Sequence, residues 1–298
     1  MTEVIQIALA FTRYLYQMLE VKQSLFLALI DHNPEEALYW LYELYYSGFG
    51  KEVYDYVLLI YESLYKKLHP SLHTAILAKY QKWLENGSNP ETDVDIGSII
   101  YTLALRSYCL VDFTRKYYNV NITSNATEDV SSSTQFLVKL TPEYICKYKT
   151  FVQEDGTTSI RAYKILEHVV KYPIRKECNR LFYTHTHQNF PAAFRNKWLY
   201  YASFSPVWYN RIVEYNGYVD YEKERVVFEC EENEDIFRSK WDYEPDEVSN
   251  IVYTRCCGSG KEAALSVKEF CEKYNYTIHS RIIKKPKKIE NTMQQTDM

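Results

Sequence analysis

Cys178, His185 and His187 come closest in this chain to a metal-ligand set. Zinc takes four nitrogen or sulfur ligands in a tetrahedron, and no second close pair follows to complete one. The two rings of His-x-His share a side only on an extended strand, where side chains alternate. Gly258-Ser259-Gly260-Lys261 carries part of a phosphate-cradling loop, in which glycines let backbone amides approach the anion at a helix N-terminus. The full pattern fails, because its first glycine would fall on Arg255 and Glu262 stands where Ser or Thr must hold magnesium. That stretch reads as a loop opening a helix. Adjacent Cys256 and Cys257 read as small apolar residues rather than a relaxed disulfide. His69 and His73, one helical turn apart beside Pro70, read as capping or surface groups.

A second chemistry is suggested by cations set among rings. Arg175, Arg180, Arg195, Lys197 and Arg211 alternate with Tyr172, Tyr183, Phe194, Trp198, Tyr201, Trp208 and Tyr209, and such a mixture can meet phosphates and stack on bases. The tail adds Lys284, Lys285, Lys287 and Lys288 with no acid among them, a composition that suits a nucleic-acid tether or a nuclear address. The opposing fact lies next door. Residues 161–211 hold nine Lys or Arg against two Glu, whereas residues 220–247 hold four against twelve acids. Such an acidic stretch repels a polyanion and offers the cations an intramolecular partner, so docking of the two segments on each other competes with nucleic-acid binding.

The elements behind these residues are mostly helices. The chain has 298 residues, 46% hydrophobic and 25% charged, with a net charge of −4, which excludes disorder for most of it and a uniformly basic surface. Seven scattered cysteines without a regular framework read as reduced, and the acidic, interrupted N-terminus lacks the pattern of a signal peptide or membrane span. An intracellular setting is expected. Asn33-Pro34-Glu35-Glu36 predicts a helix start: Asn caps, Pro suits the first turn, and two carboxylates face the positive end of the dipole. The helix that follows is dense with rings at Tyr39, Trp40, Tyr42, Tyr45 and Tyr46, leaving little polar face. Further helices are expected over about 51–68, over 72–84 to a stop at Asn86-Gly87, and over 96–118.

The fold class expected is mainly α. Residues 1–118 form a helical bundle or helical-hairpin array, 119–135 a polar linker, 136–280 a mainly helical domain with a small β element, and 281–298 a loose basic tail. Asn216-Gly217 between alternating segments, with Arg225–Glu229 beyond, predicts the hairpin. No dinucleotide fingerprint, nucleophile elbow or kinase set occurs, so no cofactor or small-molecule substrate is expected and an enzyme is the weaker reading.

Two stretches, Glu36-Ala37-Leu38-Tyr39-Trp40-Leu41-Tyr42-Glu43-Leu44-Tyr45-Tyr46-Ser47-Gly48-Phe49 and Tyr201-Ala202-Ser203-Phe204-Ser205-Pro206-Val207-Trp208, the latter followed by Trp241-Asp242-Tyr243-Glu244-Pro245-Asp246-Glu247, together resemble an uncharacterised protein family of the nucleocytoplasmic large DNA viruses. The resemblance implies a protein of the infected cell's cytoplasm, the virus factory or the virion, and carries no catalytic residues. Thirty tyrosines suit recognition, since the ring supplies contact area at low entropic cost. The leading expectation is a non-enzymatic interaction or scaffold protein, presenting Tyr39, Trp40, Tyr42 and Tyr46 to a protein partner or a second copy. The alternative is a nucleic-acid-binding accessory in viral replication, transcription or packaging, using the cations above.

Overall fold

A computed structural model describes residues 10–125, 136–149, 172–175, 181, 197–241 and 264–282. The architecture is mainly α-helical with two small antiparallel sheets. In chain order the helices are α1 (Met18–Ile30), α2 (Pro34–Tyr45), α3 (Gly50–Ile60), α4 (Leu72–Asn86), α5 (Pro90–Ala104), α6 (Val111–Tyr118), α7 (Pro142–Lys149), α8 (Pro206–Glu214), α9 (Glu231–Trp241) and α10 (Val267–Lys273). The strands are β1 (Val120–Ser124), β2 (Gly217–Asp220), β3 (Arg225–Phe228) and β4 (Tyr276–Arg281).

The punctuation residues act locally as expected. Asn33 Oδ1 accepts the Glu36 backbone N–H at 3.2 Å and opens α2. Gly87, at φ +66°, ends α4 in a conformation that a β-carbon would resist. The helix expected over 96–118 is instead two. Asn89 closes a capping box with Thr92 and starts α5 at Pro90, and the chain leaves the helix after Ala104 to spend its polar groups elsewhere. The Ser107 carbonyl meets His69 Nε2 at 2.9 Å, and the Cys109 N–H donates to the Leu64 carbonyl at 2.8 Å. His69 is therefore a buried connector. The Leu64 carbonyl belongs to a single π-turn, Tyr61–Tyr65, that extends α3; widening the ladder there frees an acceptor for the neighbouring chain.

The division into a bundle, a linker and a second domain is not what the packing shows. Residues 120–124, inside the expected linker, are β1, which pairs antiparallel with β4 from Val120 opposite Arg281 to Ser124 opposite Tyr276. The end of the chain thus closes onto the end of the first helical half, and Arg281 belongs to a strand rather than to the loose tail. Buried side chains from 10 to 276 form one cluster. Trp208 of α8 is in it, its indole N–H donating to the Thr12 carbonyl at 3.0 Å. Pro206 lies so close to Gly48 that a β-carbon there would overlap it. The hairpin is present where Asn216-Gly217 placed it, with Tyr218 opposite Val227 and Val219 opposite Val226.

The rings of α2 occupy the middle of this core. Tyr39 is 1% exposed, and Trp40 and Tyr42 are wholly buried. Tyr39 and Trp40 meet edge to face at 4.7 Å, and Tyr42 stacks between Tyr46 at 5.3 Å and Tyr148 at 5.4 Å. The expectation that Tyr39, Trp40 and Tyr42 face a partner is corrected: Trp40 packs on Tyr16, Tyr39 on Tyr172, and Tyr42 against Gly97 of α5 and Tyr148 of α7, and Tyr46 is itself largely covered. A helix with no polar face is an inner helix because each flank needs its own neighbour.

Candidate functional site

The junction between α2, α8 and the loop before α1 concentrates buried charge. Arg13, 6% exposed, donates through Nε to Glu43 at 3.0 Å and through its two terminal nitrogens to the carbonyls of Lys149 at 2.8 Å and Tyr148 at 2.7 Å. Glu43 is fully buried and also accepts the Tyr14 N–H at 3.2 Å. Burial pushes its carboxyl up, against the pull of Arg13, Thr12 and Tyr14. One turn on, Ser47 Oγ accepts the Arg13 N–H at 2.7 Å and donates to the Glu43 carbonyl. The pair therefore stitches residues 10–16 and α7 to the end of α2.

Beside it, Arg211 of α8 lies over the ring of Trp208 at 4.5 Å and over that of Trp241, at the end of α9, at 3.8 Å. Burial drives its guanidinium down to about 10, with Arg13 adding to the effect and Tyr14, Glu43 and Glu214 opposing it. Serine at 205 caps α8 by accepting the Trp208 N–H, and proline at the first position sets the helix so that Trp208 and Arg211 project from one side. The hairpin and α9 fold over the far end of α8. Phe237 packs on Phe228 at 5.0 Å and Tyr215 at 5.9 Å, leaving Tyr209, Val213, Tyr218, Tyr221 and Ile236 between 45% and 58% exposed. Exposed acids fringe this face at Glu222, Glu224, Glu229, Glu231, Glu232 and Asp235.

A separate acidic hub lies at the α1–α2 turn. Glu35 accepts from the hydroxyls of Tyr144 and Tyr148 and from Lys147, and Glu36 accepts from Trp40 Nε1 and Arg175. Asp31 receives Arg175 and the Tyr274 hydroxyl. Burial raises the Glu35 carboxyl, but the Lys147, Tyr144 and Tyr148 hydrogen bonds outweigh it and hold the group at about 2. Every acid in this hub is met by a donor, which makes it a structural tie between α2, α7, 172–175 and α10.

The expected cations therefore separate. Arg175 pairs with Asp31 and Glu36, Lys197 pairs with Glu224 of the hairpin, and Arg211 stacks on two indoles. Docking of the basic segment on the acidic one is realised at Lys197, while Arg175 turns to the first half instead. Arg180, Arg195, Lys284, Lys285, Lys287 and Lys288 lie outside the described residues, as do Cys178, His185, His187 and the Gly258–Lys261 loop. Among the described residues no three His, Cys, Asp or Glu side chains converge as metal ligands, and no helix is long and apolar enough to cross a membrane. Sequence reasoning missed Arg13, Glu43 and Trp241. The only signal was a charged residue inside each of two otherwise apolar stretches. Helices around one shared core, with two small sheets, define the fold class, and neither a protein-family model nor a curated protein nor a solved structure matches the chain.

Proposed function

We propose that this is a non-enzymatic interaction or scaffold protein whose recognition surface is the exposed face of α8 and the β2–β3 hairpin. The observation that supports it is the placement of Tyr209, Tyr218 and Tyr221. Among the described residues most large rings are covered, whereas these three remain 45%, 58% and 56% exposed on successive elements, with Val213 between them at 48%. Exposed aromatic side chains rimmed by charge are the composition of a protein-binding patch. The acids along the hairpin and the start of α9 favour a partner with a basic rim. As part of the same proposal, the resemblance to a family of the large DNA viruses supports a setting in the infected cell or the virion.

The test replaces Tyr209, Tyr218 and Tyr221 together by serine and follows sedimentation velocity across concentration, alone and with candidate viral proteins. Wild-type chain should associate with itself or with a partner through a contact that the triple variant lacks. A wild-type chain that stays monomeric and binds no partner, or a variant that associates equally well, would overturn the surface. The nucleic-acid reading keeps one supporting observation, the guanidinium of Arg211. Its signature would be binding to single-stranded DNA that weakens steeply with salt.

A further inference from the structure

Arg211 differs from the other two described cations of the basic segment, because among the described residues no carboxylate bonds it. Its one polar contact is long, from Nη1 to the Arg13 carbonyl at 3.5 Å. A guanidinium carries five N–H donors in a fixed planar fork, so most of its donors here are unmet. The two carboxylates that influence it through space are both engaged elsewhere: Glu43 by Arg13 at 3.0 Å, and Glu214 by Lys240 at 3.1 Å. The indole of Trp241, on which Arg211 stacks at 3.8 Å, holds a further donor, since its Nε1 is buried with no acceptor. A buried unmet donor such as Trp241 Nε1 costs about 1–3 kcal/mol, and native structures rarely keep one without use. The two indoles meet edge to face, with centroids 5.8 Å apart and planes at 68°, so Arg211 lies in the angle they form, and this cation–π contact leaves its N–H donors unused. The residue is only partly covered from solvent.

We propose that Arg211, held against Trp208 and Trp241, is a binding site for a single oxyanion that presents two adjacent acceptor oxygens, a phosphate monoester or a carboxylate. Such a group matches the fork bidentately. A polyanion does not suit the surroundings. One guanidinium stands near Glu43 and Glu214, so a single anion is compensated while each further phosphate of a strand meets like charge. The site stands on this geometry and not on the interaction surface, whose test uses different residues.

Trp208 and Trp241 touch the ligating group, so the tryptophan emission of the full chain serves as the readout. Inorganic phosphate, acetate and chloride are titrated at constant ionic strength. Phosphate, acetate or both should produce a saturable change in emission that chloride does not, and the stronger of the two identifies the oxyanion. Arg211→Gln should abolish the response. Arg211→Lys, which keeps the charge without the fork, should weaken it about tenfold or more. Should the Gln variant unfold, the Lys variant carries the comparison, with far-UV circular dichroism as the check of folding. The bound anion should also raise the melting temperature of the wild type and not that of the Gln variant. Absence of a saturable response, or an unchanged response in folded Arg211→Gln or Arg211→Lys, would overturn the proposal. So would single-stranded DNA that binds through Arg211 far more tightly than phosphate with a steep salt dependence, which would make the site a contact for a polyanion.

Discussion

Removing one partner of the Arg13–Glu43 pair should be among the most damaging single changes in the protein. Glu43→Leu keeps the volume of the side chain and deletes its charge. Arg13 is 6% exposed, so its guanidinium is left in the core with two carbonyls at 2.7 and 2.8 Å and without the Glu43 carboxylate. Breaking a buried pair this way costs about 3–5 kcal/mol. The Tyr14 N–H also loses its acceptor, a cost of about 1–3 kcal/mol that overlaps with the first because the same site relaxes for both. A net loss of about 4 kcal/mol is a large share of the roughly 5–15 kcal/mol that holds a typical domain. At about 2–4 °C per kcal/mol for chains somewhat shorter than this one, the melting temperature should fall by about 10 °C. Urea unfolding followed by circular dichroism measures it, in a cycle of Glu43→Leu, Arg13→Met and the double variant. The double variant should be less damaged than the sum of the singles, with a coupling of about 2–3 kcal/mol. It should not recover fully, because the Tyr148 and Lys149 carbonyls still lose Arg13. A coupling below about 0.5 kcal/mol would refute the view that these charges depend on each other.

The remaining expectations follow from single contacts. Gly97 lies inside α5 with the Tyr42 hydroxyl where a β-carbon would be, and stacking on Tyr46 and Tyr148 keeps that ring from retreating. Gly97→Ala should therefore destabilise by about 1–3 kcal/mol through overpacking, although alanine gains about 1 kcal/mol of helix propensity; a stabilised variant in a melting assay would contradict the packing. Glu35 is held at about 2 against an ordinary 4.5, so its contribution is complete above about 4.5 and drains away as the pH falls through about 2. Its side chain is 37% exposed, so solvent screening limits the effect to about 1 kcal/mol or less. The stability gap between wild type and Glu35→Gln should narrow between about pH 6 and about pH 3; a gap that widens would refute the assignment. The serine triple variant at Tyr209, Tyr218 and Tyr221 should melt within about 2 °C of wild type, since exposed substitutions cost little; a collapse of stability would show that these rings support the fold.

Local events were legible in the residues because they depend on near neighbours. Asn33 and Pro34 opened a helix, Asn86-Gly87 closed one, and Asn216-Gly217 turned a hairpin, each through backbone chemistry complete within four residues. The absence of a polar face on α2 marked it as an inner helix, but it could not say which surfaces cover it. Burial of Tyr39 and Tyr42 depends on Tyr172 and on Tyr148 of α7, which lie about 100 and more residues further along the chain. The same holds for β1. Val120-Asn121-Ile122-Thr123-Ser124 reads as polar linker, and becomes a strand only because Tyr276–Arg281 supplies its missing hydrogen bonds.

Amino-acid types alone determined that this chain is mainly helical, rich in tyrosine, able to build a large core and divided between opposite charges. Tertiary structure decided which rings are walls and which are surface, that Arg175 serves the α1–α2 turn, that Lys197 meets the hairpin, and that Arg211 lies against two indoles. Propensity and capping act over a few residues and are written in the sequence, whereas burial and ion pairing depend on which distant segment arrives at each side chain.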